Sequence, residues 1–504
     1  MAHPRSVSSP AQTGTRLPRA SSGQPRRVVP PADSIWWLAL VAAAFTGAQL
    51  IFVAPRLGLS WDEVVYVSQV SGHAPAAYFD PARARGIPLL VAPVTLVTSS
   101  VLALRVYLSV ASGLGLFLSL LAWRRLRPAW ILALAAIFFG GLWIAQYYGP
   151  QAMPDEWVAF SALAAVGLFL RAAENSSRRA TAWWPLAGLA ACVAVAALVR
   201  PGDAFYLAAA LGIAVLVVPK WRSWQLLAAI VVGFAAGAAQ WVVEAYARFG
   251  GPLARLRAAG AEQGGFGLHF ALWDELRALN GPTLCRPCTV GLRYPGISLW
   301  WLALPVLVTL GVLAARRAGR FDSSLLAAVC GVSVGLQYLF LINYAAPRFL
   351  LPVYLLLAIP VADAVGGLIT GVSSSARPAA ITLVGVCLFA QLVVQNAVLD
   401  HQLSEKITFF GDYARIAADL HRLGVRAPCL VKGDQDIPIA FYAGCASAPS
   451  VSAARRHGST EAIAVLVRVG DSPPAYAHGW TRRDLPGIRT SLLKMVAYLP
   501  PGPP

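Results

Sequence analysis

Apolar runs of about 18 to 25 residues recur along the chain, each long enough to cross a hydrocarbon core about 30 Å thick. The 504 residues are 57% hydrophobic and only 13% charged, too poor in charge for an ordinary soluble domain. The pattern specifies a polytopic α-helical membrane protein with about eleven transmembrane helices. They are expected near residues 35–53, 99–122, 130–148, 157–172, 183–199, 204–219, 224–246, 297–315, 323–342, 349–370 and 379–399.

The formal net charge of +18 comes almost entirely from Arg, since Lys occurs only at 220, 406, 432 and 494. These cations cluster between apolar runs, so they read as orientation signals under the positive-inside rule and not as a nucleic-acid surface. The bias toward Arg, Ala and Gly points to a GC-rich bacterial genome, hence a bacterial plasma membrane. Residues 1–33, rich in Ser, Pro and Arg, read as a disordered cytoplasmic tail. With that tail inside, Arg124, Arg125, Arg127, Arg171, Arg178, Arg179, Lys220, Arg222, Arg316, Arg317, Arg320 and Arg377 share the cytoplasmic face. The opposite face receives Asp62, Glu63, Asp80, Asp155, Glu156 and Asp203. An odd span count then gives an N-in, C-out topology.

Residues 34–399 form the expected transmembrane domain, with outer loops at 54–98 and 247–296. Residues 400–504 read as a small extracytoplasmic α/β domain, with a helix near 413–423 and strands near 428–432, 463–469 and 492–499. The apolar stretch 87–97 is short for a span and is expected along the interface.

The chemistry concentrates on the outer loops. Trp61-Asp62-Glu63-Val64-Val65-Tyr66 places two adjacent carboxylates just past the first span. Charges beside a bilayer are costly and mark function. Such a carboxylate can take a proton from an attacking sugar or lipid hydroxyl, and its oxygens equally suit a divalent cation. Ser60-x-x-Glu63 is also a capping box, a role that occupies Glu63 and leaves Asp62 free. A second pair, Asp155-Glu156, follows Pro154 at a helix start, where acids also favour the helix dipole.

Arg200 and Arg348 stand at outer span ends, suited either to a lipid phosphate or to snorkelling. Arg83 and Arg85 lie in the acidic loop itself. Cys285 and Cys288 in one outer region and Cys429 and Cys445 in another suggest two structural disulfides. With His269 as the nearest further donor, Cys285 and Cys288 make a weak case for zinc. There is no Walker-type nucleotide loop, and the spans hold few charges beyond Asp363, fewer than ion pumps usually need.

Taken in order and sidedness, these motifs resemble the GT-C superfamily of membrane glycosyltransferases over nearly the whole chain. Asp62-Glu63-x-x-Tyr66 matches the acidic motif of the first outer loop, and Asp155-Glu156 a second acidic position. Arg200-Pro201 and Pro347-Arg348-Phe-Leu-Leu-Pro352 are similar to segments of the protein-mannosyltransferase and aminoarabinose-transferase branches. Where those branches carry a Lys-Pro-Pro type segment, this chain has Arg83-Ala-Arg85-Gly-Ile-Pro88.

The resemblance implies an inverting transferase at the outer leaflet. It would move a sugar from a polyprenyl-phosphate donor to a glycan, lipid or protein acceptor, with membrane lipids around it and no nucleic acid. Asp62 would be general base, Glu63 its orienting partner or a cap, and Asp155 an acceptor or transition-state contact. Arg83, Arg85 and Arg348 would answer the leaving phosphate, with Glu156, Tyr66 and Arg200 as acceptor or structural support. Metal dependence is left open. A lipid-linked sugar flippase, relying on span-interior groups such as Asp363 and Gln337, and a non-catalytic envelope scaffold are the rival readings.

Overall fold

A computed structural model of the protein describes residues 34–177, 183–265, 267–292, 294–447 and 462–501. The expected tail at 1–33, and Arg178 and Arg179, lie outside the described residues. The chain opens with α1 (Trp36–Ala48), which continues as a π turn over Gln49–Val53, then α2 (Trp61–Val67), α3 (Gly86–Thr95) and α4 (Val101–Leu121). Next come α5 (Ala129–Gly140), α6 (Trp143–Tyr148), α7 (Asp155–Ser177), α8 (Trp184–Val199), α9 (Pro201–Val217) and α10 (Trp224–Phe249). After α11 (Pro252–Glu262) and α12 (Leu272–Ala278) follow α13 (Leu299–Arg317), α14 (Phe321–Phe340), α15 (Leu351–Gly371) and α16 (Arg377–Arg422).

Among the described residues, eight helical segments are long and apolar enough to cross a membrane, which makes this a multi-pass membrane protein. The other three expected positions fall on shorter apolar helices: α5 with α6, α8, and α9. The run at 130–148 is divided because Leu142 is extended between Gly140 and Trp143. The stretch 87–97 is largely α3.

Helices α7 and α15 are buried over most of their length and form the centre of the bundle, whereas α13 and the apolar span of α16 are largely exposed. Helices α8 and α10 approach closely because Gly233 and Gly237 of α10 lie against the backbone of Ala190 and Ala194, the small-residue spacing that lets membrane helices touch. Far from α2, Arg127 donates to Asp363 on α15 at 2.8–3.1 Å, which neutralises a carboxylate that apolar surroundings could not hold alone.

Helix α16 runs unbroken from the bundle across residue 400, carrying the segment 413–423 as its last turns. It leads into β1 (Cys429–Gly433), α17 (Asp436–Ala443), β2 (Ala446–Ser447), β3 (Ala462–Arg468), β4 (Thr481–Asp484) and β5 (Met495–Leu499). The sheet order is β2-β1-β3-β5-β4, with β1 parallel to β2 and β3, and β5 antiparallel to β3 and β4. Cys429 and Cys445 are joined across the β1–α17–β2 crossover. Helix α17 returns to the bundle: Ile437 and Phe441 pack in one apolar cluster with Val64, Val65 and Val67 of α2.

Candidate active site

Helix α2 begins where the sequence pattern places it. The Ser60 hydroxyl accepts from the Glu63 amide at 3.4 Å, and the Glu63 carboxylate accepts from the Ser60 amide at 3.0 Å. Glu63 does more than cap. Fully buried, it takes both ends of the equally buried Arg105 guanidinium at 2.5 and 2.9 Å and the Ala152 amide at 2.8 Å. Arg105 donates further to the carbonyls of Leu57, Gly58 and Pro150. One ion pair therefore fixes the approach to α2 and the loop before α7, the segments that bring Asp62 and Asp155 to the two sides of Arg348.

Asp62 points the other way and is 29% exposed. One of its oxygens accepts from Arg83 at 2.6 Å and the other from Arg348 at 2.9 Å. Burial pushes its carboxyl upward, but the Arg83 and Arg348 charges prevail and hold it at about 2. Arg83 also pairs with Asp80 and lies 4.8 Å from the ring centre of Tyr66. Arg348 reaches Asp155 at 3.4 Å. Asp155 pairs with Arg200, and Arg200 lies 3.7 Å from Asp203. Asp203 is in turn held by Tyr338 and by Gln337. Acid and guanidinium alternate along a ribbon: Asp80, Arg83, Asp62, Arg348, Asp155, Arg200, Asp203.

Each member comes from an element that leaves few other orientations. Asp155 opens α7 and Asp203 lies in the first turn of α9, where acids suit the positive helix end. Arg200 occupies the extended corner between α8 and α9, with its guanidinium 4.8 Å from the Phe349 ring centre. Arg348 sits on the short 3-10 turn Pro347–Leu350. Two residues earlier than that turn, Ala345 exchanges backbone hydrogen bonds with Cys285 at 2.8 and 3.2 Å, and Cys285 is joined to Cys288. The loop 247–296 thus braces the segment that leads into Arg348.

Three of the expected site residues are not brought to the ribbon. Glu63 is spent on Arg105. Arg85 turns away from Asp62 to Glu244 at 2.6 Å and Gln69 at 2.8 Å, at the N-cap of α3 where the chain turns into the helix. Glu156 faces back into the bundle, where Ser112 donates to it at 3.0 Å. Sequence reasoning gave no role to Arg105, Glu244 or Arg255. Arg255, fully buried, donates to the carbonyls of Pro81 and Arg83 and to Glu244, which holds the 81–85 segment in place. For Arg105 and Glu244 the available signal was a charge within an apolar run. The carboxylates of the ribbon are separated by arginines, and among the described residues no three of His, Cys, Asp or Glu form a metal-holding group.

No family model matches the sequence, and no curated protein matches it either. Solved structures do. The aminoarabinose transferase ArnT from Cupriavidus metallidurans, bound to undecaprenyl phosphate, aligns with TM-score 0.62 at 15% identity, over 94% of this chain and 100% of that one. Its apo state gives 0.59 at 14% identity, over 93% and 99%. The Archaeoglobus fulgidus oligosaccharyltransferase tethered to an acceptor peptide gives 0.52 at 12% identity, over 86% and 69%. The chain has the fold of the GT-C membrane glycosyltransferases.

Proposed function

We propose that this protein is an inverting glycosyltransferase that moves a sugar from a polyprenyl-phosphate donor to a cell-envelope hydroxyl at the outer leaflet of a bacterial plasma membrane. The observation that carries the reading is Asp62, a partly exposed carboxylate clasped by two arginines at the end of the bundle. Arg83 and Arg348 present forked donors suited to a phosphate, and Asp62 lies between them.

In this mechanism the acceptor oxygen attacks the anomeric carbon while the bond from that carbon to the phosphate oxygen breaks. The acceptor proton passes to Asp62, and the polyprenyl phosphate leaves with its new charge against Arg83 and Arg348. A carboxylate at about 2 is a weak base at neutral pH. A donor phosphate that draws the two arginines onto itself leaves Asp62 less compensated and therefore more basic, so donor binding prepares the base. Asp155, kept in place by Arg200, would steady the positive charge that develops on the sugar ring. Glu63 and Glu156 would be supports, and the sheet domain would lie over the acceptor side. The fold likeness to ArnT with undecaprenyl phosphate supports the donor class.

The flippase reading loses ground because Asp363 is already ion-paired with Arg127 and accepts from Ser324, and Gln337 belongs to the Asp203 end of the ribbon. The test is to incubate wild-type protein in proteoliposomes with radiolabelled polyprenyl-phosphate sugars and envelope acceptors. Label released from the lipid onto acceptor supports a transferase. Label moved across the bilayer with its lipid bond intact overturns it.

A further inference from the structure

At the end of the bundle opposite Asp62, a cavity of about 360 Å³ lies between the α4–α5 corner, α7, the 3-10 turn Pro219–Trp221 and the α13–α14 turn. Its polar walls include Arg125, Lys220, Arg320, Asp322 and Ser323, with Trp221 at one side. That volume falls in the range of small-molecule sites, about 300–1,000 Å³. Nothing in the proposed transfer reaction uses it.

The charges here do not balance. Asp363 is engaged by Arg127 through three hydrogen bonds, and Arg320 reaches the same carboxylate only at 3.5 Å. Two guanidiniums thus share one acid. The Arg320 Nε is buried and has no hydrogen-bond partner among the described residues. Lys220 is occupied by Asp322, while Arg125 adds a further exposed cation, with Glu174 the remaining acid of the lining. Helix α14 starts at this wall. Its first internal bond is Ser324 N–H to the Arg320 carbonyl, which leaves the preceding amides outside the ladder and the positive helix end turned to the cavity.

We propose that this cavity binds the phosphate of an anionic phospholipid in the leaflet opposite the Asp62 site. Excess guanidinium charge and a helix N-terminus select a phosphate. The position selects a lipid as its source, because the cavity lies at the ends of the spanning helices. Trp221 stands there as headgroup-level aromatics do, packed on Phe169 with ring centres 5.5 Å apart. Basic pockets between helices take lipid headgroups in this way. The site is independent of the catalytic reading.

The test is native mass spectrometry of the full-length protein with phosphatidylglycerol, phosphatidylcholine or inorganic phosphate. Phosphatidylglycerol is expected to be retained at least about five-fold better than phosphatidylcholine, and Arg320→Gln to weaken it about five-fold. Should Arg320→Gln unfold, the double variant Arg125→Gln/Lys220→Gln changes only exposed or half-exposed groups and carries the same expectation. Arg482→Gln on β4, remote in the fold, should retain lipid normally. Equal retention of the two lipids, or undiminished phosphatidylglycerol on the folded double variant, overturns the proposal. Displacement of phosphatidylglycerol by millimolar inorganic phosphate would assign the cavity to a free anion and also overturn it.

Discussion

Replacing Glu63 by Gln separates a structural role from a catalytic one at the acidic pair. The carboxylate accepts from Ser60, from both ends of Arg105 and from Ala152, and neither it nor Arg105 meets solvent. A neutral amide in its place would keep the shape but leave the Arg105 charge buried and uncompensated. Breaking a buried pair in this manner costs about 3–5 kcal/mol, while Gln at this position still satisfies the capping box. Against a typical total of about 5–15 kcal/mol, that is a severe loss. Asp62→Asn is milder, since the fall from 3.8 to about 2 corresponds to about 2 kcal/mol. Thermal stability measured by size-exclusion in detergent should therefore rank wild type, then Asp62→Asn, then Glu63→Gln. Adding Arg105→Met to Glu63→Gln removes the stranded charge and should recover part of the loss. It should not recover all of it, because the carbonyls of Leu57, Gly58 and Pro150 lose their donor. Glu63→Gln with wild-type stability and abolished transfer would refute the reasoning and return Glu63 to the catalytic set.

Further expectations follow from the same geometry. Arg83→Gln and Arg348→Gln should each raise the donor KM about 10- to 100-fold, the worth of one charge-assisted contact of about 1.5–3 kcal/mol, with Arg83→Lys intermediate; steady-state kinetics over donor concentration checks this. Glu275 on α12 is buried with both oxygens lacking a hydrogen-bond partner, and burial, then the Asp274 charge, push it well above the ordinary 4.5. The folded state therefore holds a proton that the unfolded chain releases above 4.5. Stability falls as pH rises through that window, by at most about 1.4 kcal/mol per pH unit. Melting curves from pH 5 to 8 should show this slope in wild type and lose it in Glu275→Gln. Tyr442→Phe removes the acceptor of the Leu59 amide, now at 3.0 Å. It should cost about 1 kcal/mol or more and speed hydrogen exchange over residues 57–67.

The bundle was legible because length and apolarity are local properties: all eleven expected positions lie on helices, eight of them long and apolar enough to span. Boundaries were less so. Residues 400–412 lose the apolar run but keep a helical course, so α16 continues where a domain edge was expected. The Ser60–Glu63 box could be read from spacing alone, whereas its Arg105 partner lies 42 positions from Glu63 and no periodicity connects them. Likewise Asp62, Asp155, Arg200 and Arg348 could be named singly, but their alternation is a product of separate segments converging. Arg83 and Arg85 look equivalent in sequence. Only the folded contacts separate them, one serving Asp62 and the other Glu244.

The most direct measurement is single-turnover transfer by Asp62→Asn in proteoliposomes, with donor occupancy matched to wild type by measuring bound polyprenyl-phosphate sugar. The account predicts that the variant binds donor yet transfers sugar at least about 100-fold more slowly, the scale of a lost general base. Wild-type transfer rates at equal occupancy would contradict it.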